Sequence, residues 1–302
     1  MLTRMTWIAV DWGTSALRAA LLRPGAAVEE RAGGPGILAV AADGFPAALA
    51  AFCGDWRAQY PGARVLISGM AGSAQGWALA PYCPCPAPLA QLASQVLWLE
   101  PGQLGLVPGL CDTQGPCPDV MRGEEVQVLG AMALAGAHTA RVVLPGTHSK
   151  WVRLEAGVIT GFETFMTGEV FALLRQHSIL ARTLPAMDAD APWHPEAFAA
   201  GLTVAAEGSV LHHVFGVRTQ ALFEQRAPEA MPDYLSGLLI GEELRAQAFT
   251  PGESVWVVGA PALQQRYAHA LRLRGLDVRC FGAEATWHGL QAVAHAIEER
   301  NG

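Results

Sequence analysis

The apolar runs near the start of the chain are short and punctuated by glycine and polar residues. Trp7 to Val10 is apolar, Asp11-Trp-Gly-Thr-Ser15 is a polar glycine turn, Leu17 to Leu22 is apolar again, Pro24-Gly25 turns the chain, and Ala27 to Arg31 follows. That rhythm predicts a three-stranded antiparallel meander. The same rhythm returns from Arg141, with strand Val142 to Leu144, polar turn Pro145-Gly-Thr-His-Ser149, strand Lys150 to Leu154, turn Ala156-Gly157 and strand Val158 to Phe162. Aligning Gly13-Thr14 with Gly146-Thr147 sets the two copies 133 residues apart. Between and beyond them, Arg64 to Ser68 reads as a buried strand ending at Gly69, and Met70 to Trp77 as an irregular loop able to wall a pocket. Arg122 to Leu134 reads as a helix with Glu124 and Glu125 in its first turn, where carboxylates suit the helix dipole. Leu235 to Arg245 is an apolar helical pattern, Val255 to Pro261 a buried strand running into a glycine turn, and Thr286 to Glu298 a helix rich in small residues.

A repeat of this length is too long for a solenoid and predicts two similar lobes, each opening with a meander. The expected class is α/β, with two lobes and a cleft between them. Proline and glycine recur from Pro101 to Pro118, which marks a lobe boundary there. The expected divisions are residues 1–112, 113–286 and a final helix, 287–302, returning to the first lobe. Backbone N–H groups in a glycine turn, joined by a Thr or Ser hydroxyl, make a nest for phosphate oxygens. Gly13, Thr14 and Ser15 form one such turn; Gly146, Thr147 and His148 form the other. Asp11, at a strand end, suits a hydrated Mg2+ against a triphosphate. The turn at Gly259 and Ala260 permits close approach of a nucleotide base.

Composition narrows the partners. Lys+Arg 20 against Asp+Glu 27 gives a net charge of −7, so the chain carries no electrostatic footprint for nucleic acid or an anionic membrane. Asp11 interrupts the first apolar run too early for a secretion signal, and no run of about 18 apolar residues follows, so a cytoplasmic chain is expected. The six cysteines are sparse and match no common zinc spacing. No Gly-Lys-Ser/Thr phosphate loop, Gly-x-Gly-x-x-Gly, His-Glu-x-x-His or Gly-x-Ser-x-Gly word occurs. Lys150 is the only lysine among the twenty basic residues. It follows the second turn, where a compact ammonium reaches a phosphate or a carboxylate; the alternative is a solvated strand position.

Taken together, Asp11 to Arg18, Pro145 to Ser149, Val257 to Leu263 and the helices from Gly123 and Thr286 resemble the two phosphate motifs, adenosine motif and connecting helices of the actin-like ATPase (ribonuclease H-like) superfamily. Ile67 to Ser73, Val107 to Cys111, Val120 to Glu125, Pro145 to Trp151, Phe165 to Glu169 and Leu235 to Gly241 resemble the 2-keto-3-deoxygalactonate kinase family, over nearly the whole chain. The resemblance implies ATP and Mg2+ as cofactors. It also implies transfer of the γ-phosphoryl group to the C6 hydroxyl of 2-dehydro-3-deoxy-D-galactonate. Related glycerol- and pentulose-type kinases carry Gly-Asp-Gln where this chain has Gly123-Glu124-Glu125. Glu124 is therefore the first candidate for the base and Glu125 the second, the alternative being that both are solvated helix-start carboxylates.

Arg122 is a candidate fork for the substrate's C1 carboxylate, or else pairs with a neighbouring acid. Arg18 divides between a phosphate contact and a structural strand arginine. Met70, Gly72, Ser73, Gln75 and Trp77 are the candidate substrate loop, with Trp77 placed against the substrate. His148 reads as a hydrogen-bonding turn residue rather than an acid or base, Glu169 as a polar contact, and His212-His213 as surface. Two competing readings keep the fold: a kinase for another keto-deoxy acid or a ketose, and an ATP-binding regulatory module without kinase activity.

Overall fold

The computed structural model describes residues 5–186, 188, 191–250 and 252–301. In chain order it runs β1 (Trp7–Trp12), β2 (Ala16–Leu22), β3 (Glu29–Pro35), α1 (Phe45–Gln59), β4 (Arg64–Gly69), β5 (Tyr82–Pro84), β6 (Ala87–Pro88) and α2 (Leu89–Ser94). There follow β7 (Leu97–Glu100), β8 (Leu104–Leu106), β9 (Gly109–Asp112), β10 (Asp119–Met121), α3 (Glu124–Ala135), β11 (Ala140–Leu144), β12 (Ser149–Glu155) and β13 (Val158–Phe165). The remainder is mostly helical: α4 (Thr167–His177), α5 (Pro195–Ala206), α6 (Val210–His213), α7 (Gly216–Leu222), α8 (Met231–Ala246), β14 (Ser254–Val258), α9 (Pro261–Leu273), β15 (Asp277–Phe281) and α10 (Glu284–Asn301).

The chain divides into two compact units, one of Met1–Val142, Trp151–Glu163 and Phe281–Gly302, the other of Val143–Lys150 and Thr164–Cys280. The main sheet of the first unit has the order β3-β2-β1-β4-β8-β7, with β5, β9 and β10 in a small second sheet. A third sheet, β15-β14-β11-β12-β13-β6, has the division falling inside β11, β12, β13 and β15.

Both expected meanders are present, β1-β2-β3 and β11-β12-β13, in that strand order. Strand β1 lies between antiparallel β2 and parallel β4, and its side chains are buried on both faces of the sheet. Strand β3 is an edge, and Glu29, Glu30 and Arg31 keep it in water. Helix α1 starts at Phe45-Pro46, where proline's missing N–H costs nothing, and buries Phe45, Leu49, Cys53 and Trp56 against Ile8, Val10, Leu17 and Leu21. In the second unit α8 is buried almost along its length, with Tyr234, Leu235, Leu238 and Leu239 in the core beside Ala197 and Ala205 of α5.

The expected boundary near residue 112 does not coincide with the observed division. Pro101 to Pro118 holds two strands, β8 and β9, rather than a linker, because β8 pairs in register with β4 and β9 with β5 and β10. Helices α3 and α10 cross within the first unit at backbone contact. A Cβ on Gly130 would lie 1.7 Å from the Ala285 carbonyl oxygen, and one on Gly289 1.8 Å from that of Val126. That close crossing is why α3 groups with the first unit, although the sequence placed it after the boundary. Among the described residues no helix is long and apolar enough to cross a membrane.

Candidate active site

In the first unit, the candidate residues gather at the carboxyl ends of the parallel strands β1 and β4, the position at which open α/β sheets bind ligands. Asp11 is paired in register with Arg18 on β2 and with Ser68 on β4. The Arg18 guanidinium donates to Asp11 Oδ2 and lies 5.7 Å from the Trp287 ring. Asp11 Oδ1 has no hydrogen-bond partner among the described residues, and the side chain is 19% exposed. In the turn that follows, Gly13 N–H donates to the Ala16 carbonyl at 2.9 Å, and Ile37 and Leu38 donate to the carbonyls of Gly13 and Thr14. The loop is thus fixed from behind, with Thr14 and Ser15 exposed.

The start of α3 packs on the end of β4. A Cβ on Gly123, whose φ of 104° favours glycine, would lie 3.3 Å from Gly69 Cα. Each glutamate reaches back to an amide before the helix: Arg122 N–H donates to Glu124 Oε2 at 3.0 Å, and Gly123 N–H to Glu125 Oε2 at 2.7 Å. Their environments differ. Glu124 is half-buried, whereas Glu125 is fully buried with Oε1 lacking a partner. Burial, helped by the Glu124 carboxylate, pushes the Glu125 carboxyl up to about 8. Glu125 is thereby neutral at pH 7 and closed to solvent, while Glu124 keeps a route to a ligand.

Arg122 is 8% exposed. Among the described residues it pairs with no neighbouring acid: Nη2 donates to the Ala80 carbonyl at 2.8 Å, and the guanidinium lies 4.3 Å from the Tyr82 ring centre. Nε and Nη1 have no acceptor, an arrangement whose cost an anionic ligand would relieve. Gly72 makes room for this side chain, since a Cβ there would lie 2.9 Å from Nη1. The loop around it is a short 3-10 turn from Met70, with Ser73 N–H bonded to the Met70 carbonyl at 3.0 Å, Gln75 N–H to Ser73 Oγ at 3.3 Å, and Gln75 exposed. Trp77, the residue expected against a substrate, is half-buried in the same loop. Its ring stacks on Phe45 at 6.1 Å and meets Trp12 edge-on at 6.3 Å, so it anchors the loop in the aromatic core.

In the second unit, Pro145 to Ser149 is clasped by the start of α4. Glu169 N–H donates to the Thr147 carbonyl at 2.9 Å, and His148 Nε2 lies 2.6 Å from Glu169 Oε2, the hydrogen-bonding role expected of that histidine. A Cβ on Gly168 would sit 2.3 Å from the Gly146 carbonyl oxygen. The amides of Gly146, Thr147 and His148 donate to no group among the described residues. Gly259 adjoins the turn, 3.5 Å from the Pro145 carbonyl oxygen measured from a Cβ position, and its own carbonyl accepts from Gln264 Nε2 at 2.8 Å. A cavity of about 800 Å³ opens beside these elements, lined by Gly146, Thr167, Trp193, Ala262, Leu263 and Arg266 among others. Gly259 and Ala260 flank it rather than line it. Lys150 is not at a solvated strand position: it is 6% exposed and donates to Thr164 Oγ1 at 2.7 Å.

Ser68 escaped the sequence reading. Its side chain is 2% exposed with an unpartnered hydroxyl, and the signal for it was its place as the last polar residue of β4 before Gly69, mirroring Asp11 on β1. Among the described residues no cluster of three or more His, Cys, Asp or Glu side chains suits a metal, and all six thiols are free.

The α/β architecture with its repeated meander is that of the actin-like ATPase and sugar-kinase fold. The chain belongs to the 2-keto-3-deoxy-galactonokinase family, whose sequence model matches residues 11–293. It is 38% identical over 307 residues to a protein of Rhizobium meliloti (strain 1021) assigned as a 2-dehydro-3-deoxygalactonokinase, covering 98% of this chain and 99% of the relative. It is 34% identical over 295 residues to the 2-dehydro-3-deoxygalactonokinase of Escherichia coli (strain K12), covering 96% and 98%. A crystal structure from Sinorhizobium meliloti with the same assignment superposes with a TM-score of 0.86 at 36% identity, over 96% of this chain and 99% of that one.

Proposed function

We propose that this kinase transfers the γ-phosphoryl group of ATP to the C6 hydroxyl of 2-dehydro-3-deoxy-D-galactonate. The observation that carries the reading is the first-unit constellation: a half-buried Glu124 beside a buried Arg122 with two unsatisfied nitrogens, at the carboxyl ends of β1 and β4. Glu124 takes the C6 hydroxyl proton while that oxygen forms its bond to γ-phosphorus, and the bond from phosphorus to the β,γ-bridging oxygen breaks to release ADP. Arg122 holds the C1 carboxylate, the feature that separates a sugar acid from a sugar. The unclaimed amides of Gly146, Thr147 and His148 suit phosphate oxygens. The 800 Å³ cavity next to Gly146 lies within the size range of nucleotide pockets and suits the adenosine. Lys150 supplies fixed positive charge.

Asp11 fits a magnesium ion, because it offers an unpartnered carboxylate oxygen at the glycine turn while Arg18 restrains the other. Mg2+ commonly takes one or two protein carboxylates and completes its shell with phosphates and water, which accords with a lone acid here. When bound, the ion neutralises charge on the phosphates. Glu125 is held neutral and serves the helix start.

The test is an acceptor screen with ATP. Candidate acceptors are 2-dehydro-3-deoxy-D-galactonate, its gluco isomer, and ketoses lacking the carboxylate. The product's phosphorus should couple to the C6 protons by NMR. Preference for a ketose, or phosphate on another carbon, would overturn the reading.

A further inference from the structure

The second unit contains a buried polar chain that the proposed chemistry does not use. Ser149 is fully buried directly after the second glycine turn, Tyr267 on α9 is 2% exposed, and Glu243 on α8 is 1% exposed. Tyr267 OH donates to Glu243 Oε2 at 2.8 Å, Thr167 Oγ1, at the first position of α4, donates to the same oxygen at 2.6 Å, and Ser149 Oγ lies 2.9 Å from Tyr267 OH. A phenol has one proton, and Tyr267 gives its proton to Glu243, so Ser149 must donate to the Tyr267 oxygen. Burial and the neighbouring carboxylate keep that phenol protonated.

All three hydroxyl protons therefore run toward one carboxylate. Thr167 borders the cavity, but its proton is committed to Glu243, so it has none left to offer a phosphate. A buried carboxylate is costly, and well-packed apolar residues would serve stability equally well or better. What the carboxylate adds is direction. It ties the residue that ends the glycine turn, Ser149, to the residue that starts the clasping helix, Thr167. Between those two anchors lie the close contact of Gly168 with the Gly146 carbonyl and the Glu169 bond to Thr147.

We propose that Glu243 is a positioning residue for the nucleotide's phosphates: acting through Tyr267 and Thr167, it fixes the turn Pro145 to His148 against the start of α4. The inference rests on the reading of that turn as a phosphate site.

The test compares ATP with adenosine, which lacks the phosphates, by equilibrium binding to the full-length protein. Tyr267→Phe keeps the ring and removes the link. It should weaken ATP binding about tenfold and leave adenosine binding within about twofold, the loss expected for breaking one buried hydrogen-bond chain. In turnover, KM for MgATP should rise while KM for the sugar acid stays unchanged. Glu243→Gln retains an oxygen able to accept from both hydroxyls, so it should recover part of the ATP affinity that Glu243→Leu loses. Equal weakening of ATP and adenosine by Tyr267→Phe, or no weakening of either, overturns the proposal. Gly146→Val separates the two layers. If it leaves ATP binding intact, the phosphate reading of the turn fails; if it weakens ATP and Tyr267→Phe does not, only the role of Glu243 fails.

Discussion

Glu125→Gln should change how stability responds to pH. The wild-type carboxyl is fully buried, accepts from Gly123 N–H at 2.7 Å through Oε2 and leaves Oε1 without a partner. Burial and the Glu124 carboxylate raise it from the ordinary 4.5 to about 8. Below pH 4.5 it is protonated in both folded and unfolded chains, and stability does not depend on it. Between pH 4.5 and 8 the unfolded chain releases the proton while the folded chain keeps it, so the folded state binds more protons and stability falls as pH rises. One proton corresponds to about 1.4 kcal/mol per pH unit, so the loss from pH 5 to pH 7.5 is about 3 kcal/mol. Glutamine keeps the acceptor for Gly123 and has nothing to titrate. Urea unfolding of both proteins at pH 5, 6, 7 and 8, followed by fluorescence of the nine tryptophans, reads the difference directly. The variant should gain on wild type by about 3 kcal/mol across that window, and turnover should stay within a few-fold of wild type. Parallel curves, or a variant that loses ground as pH rises, would refute the reasoning by showing that Glu125 is ionised in the fold.

Arg122→Lys gives up the bond to Ala80, the Tyr82 stacking and a planar match to a carboxylate, so KM for the sugar acid should rise about 10- to 100-fold with KM for MgATP unchanged; an unchanged sugar-acid KM removes Arg122 from the site. Lys150→Met should lower kcat/KM by about 10- to 100-fold through loss of a charged hydrogen bond. Lys150→Arg should not rescue it, because a broad planar guanidinium replaces a compact ammonium at a buried position beside Thr164; wild-type kinetics in the arginine variant would contradict this. A shrinking deficit with the substrate's C1-amide assigns Lys150 to the carboxylate, and a constant one to phosphate. Gly130→Ala puts a methyl group 1.7 Å from the Ala285 carbonyl oxygen, so α3 and α10 must separate and the thermal midpoint should fall by several degrees, at a cost of about 1–3 kcal/mol; an unchanged midpoint would mean the crossing is looser than described.

Both meanders were legible in the sequence because strands punctuated by Asp, Gly and Pro report local chemistry, and the recurrence of Gly-Thr at one offset reports a shared plan. The head of α3 was legible because Gly123 and two glutamates form a local start signal. Pro101 to Pro118 misled because short strands such as β8, three residues long, are specified by pairing with β4 rather than by their own composition. The packing of Trp77 was hidden for a similar reason, since nothing near it in the sequence announces Phe45 and Trp12 as its neighbours. The rank of Glu124 and Glu125 rests on which one the fold buries, a quantity absent from two adjacent identical letters. Ser149, Thr167, Glu243 and Tyr267 span 118 residues and meet only through the packing of α4, α8 and α9.

The central claim is that Glu124 is the base of an ATP-dependent sugar-acid kinase. ADP release measured with saturating MgATP, with and without 2-dehydro-3-deoxy-D-galactonate, for wild type and Glu124→Gln tests it most directly. Wild type should release ADP only when the sugar acid is present, and Glu124→Gln should lower kcat about 10²- to 10⁴-fold while sugar-acid binding by calorimetry stays nearly intact. Sugar-independent ADP release in wild type, or a Glu124→Gln variant that turns over at the wild-type rate, would contradict it.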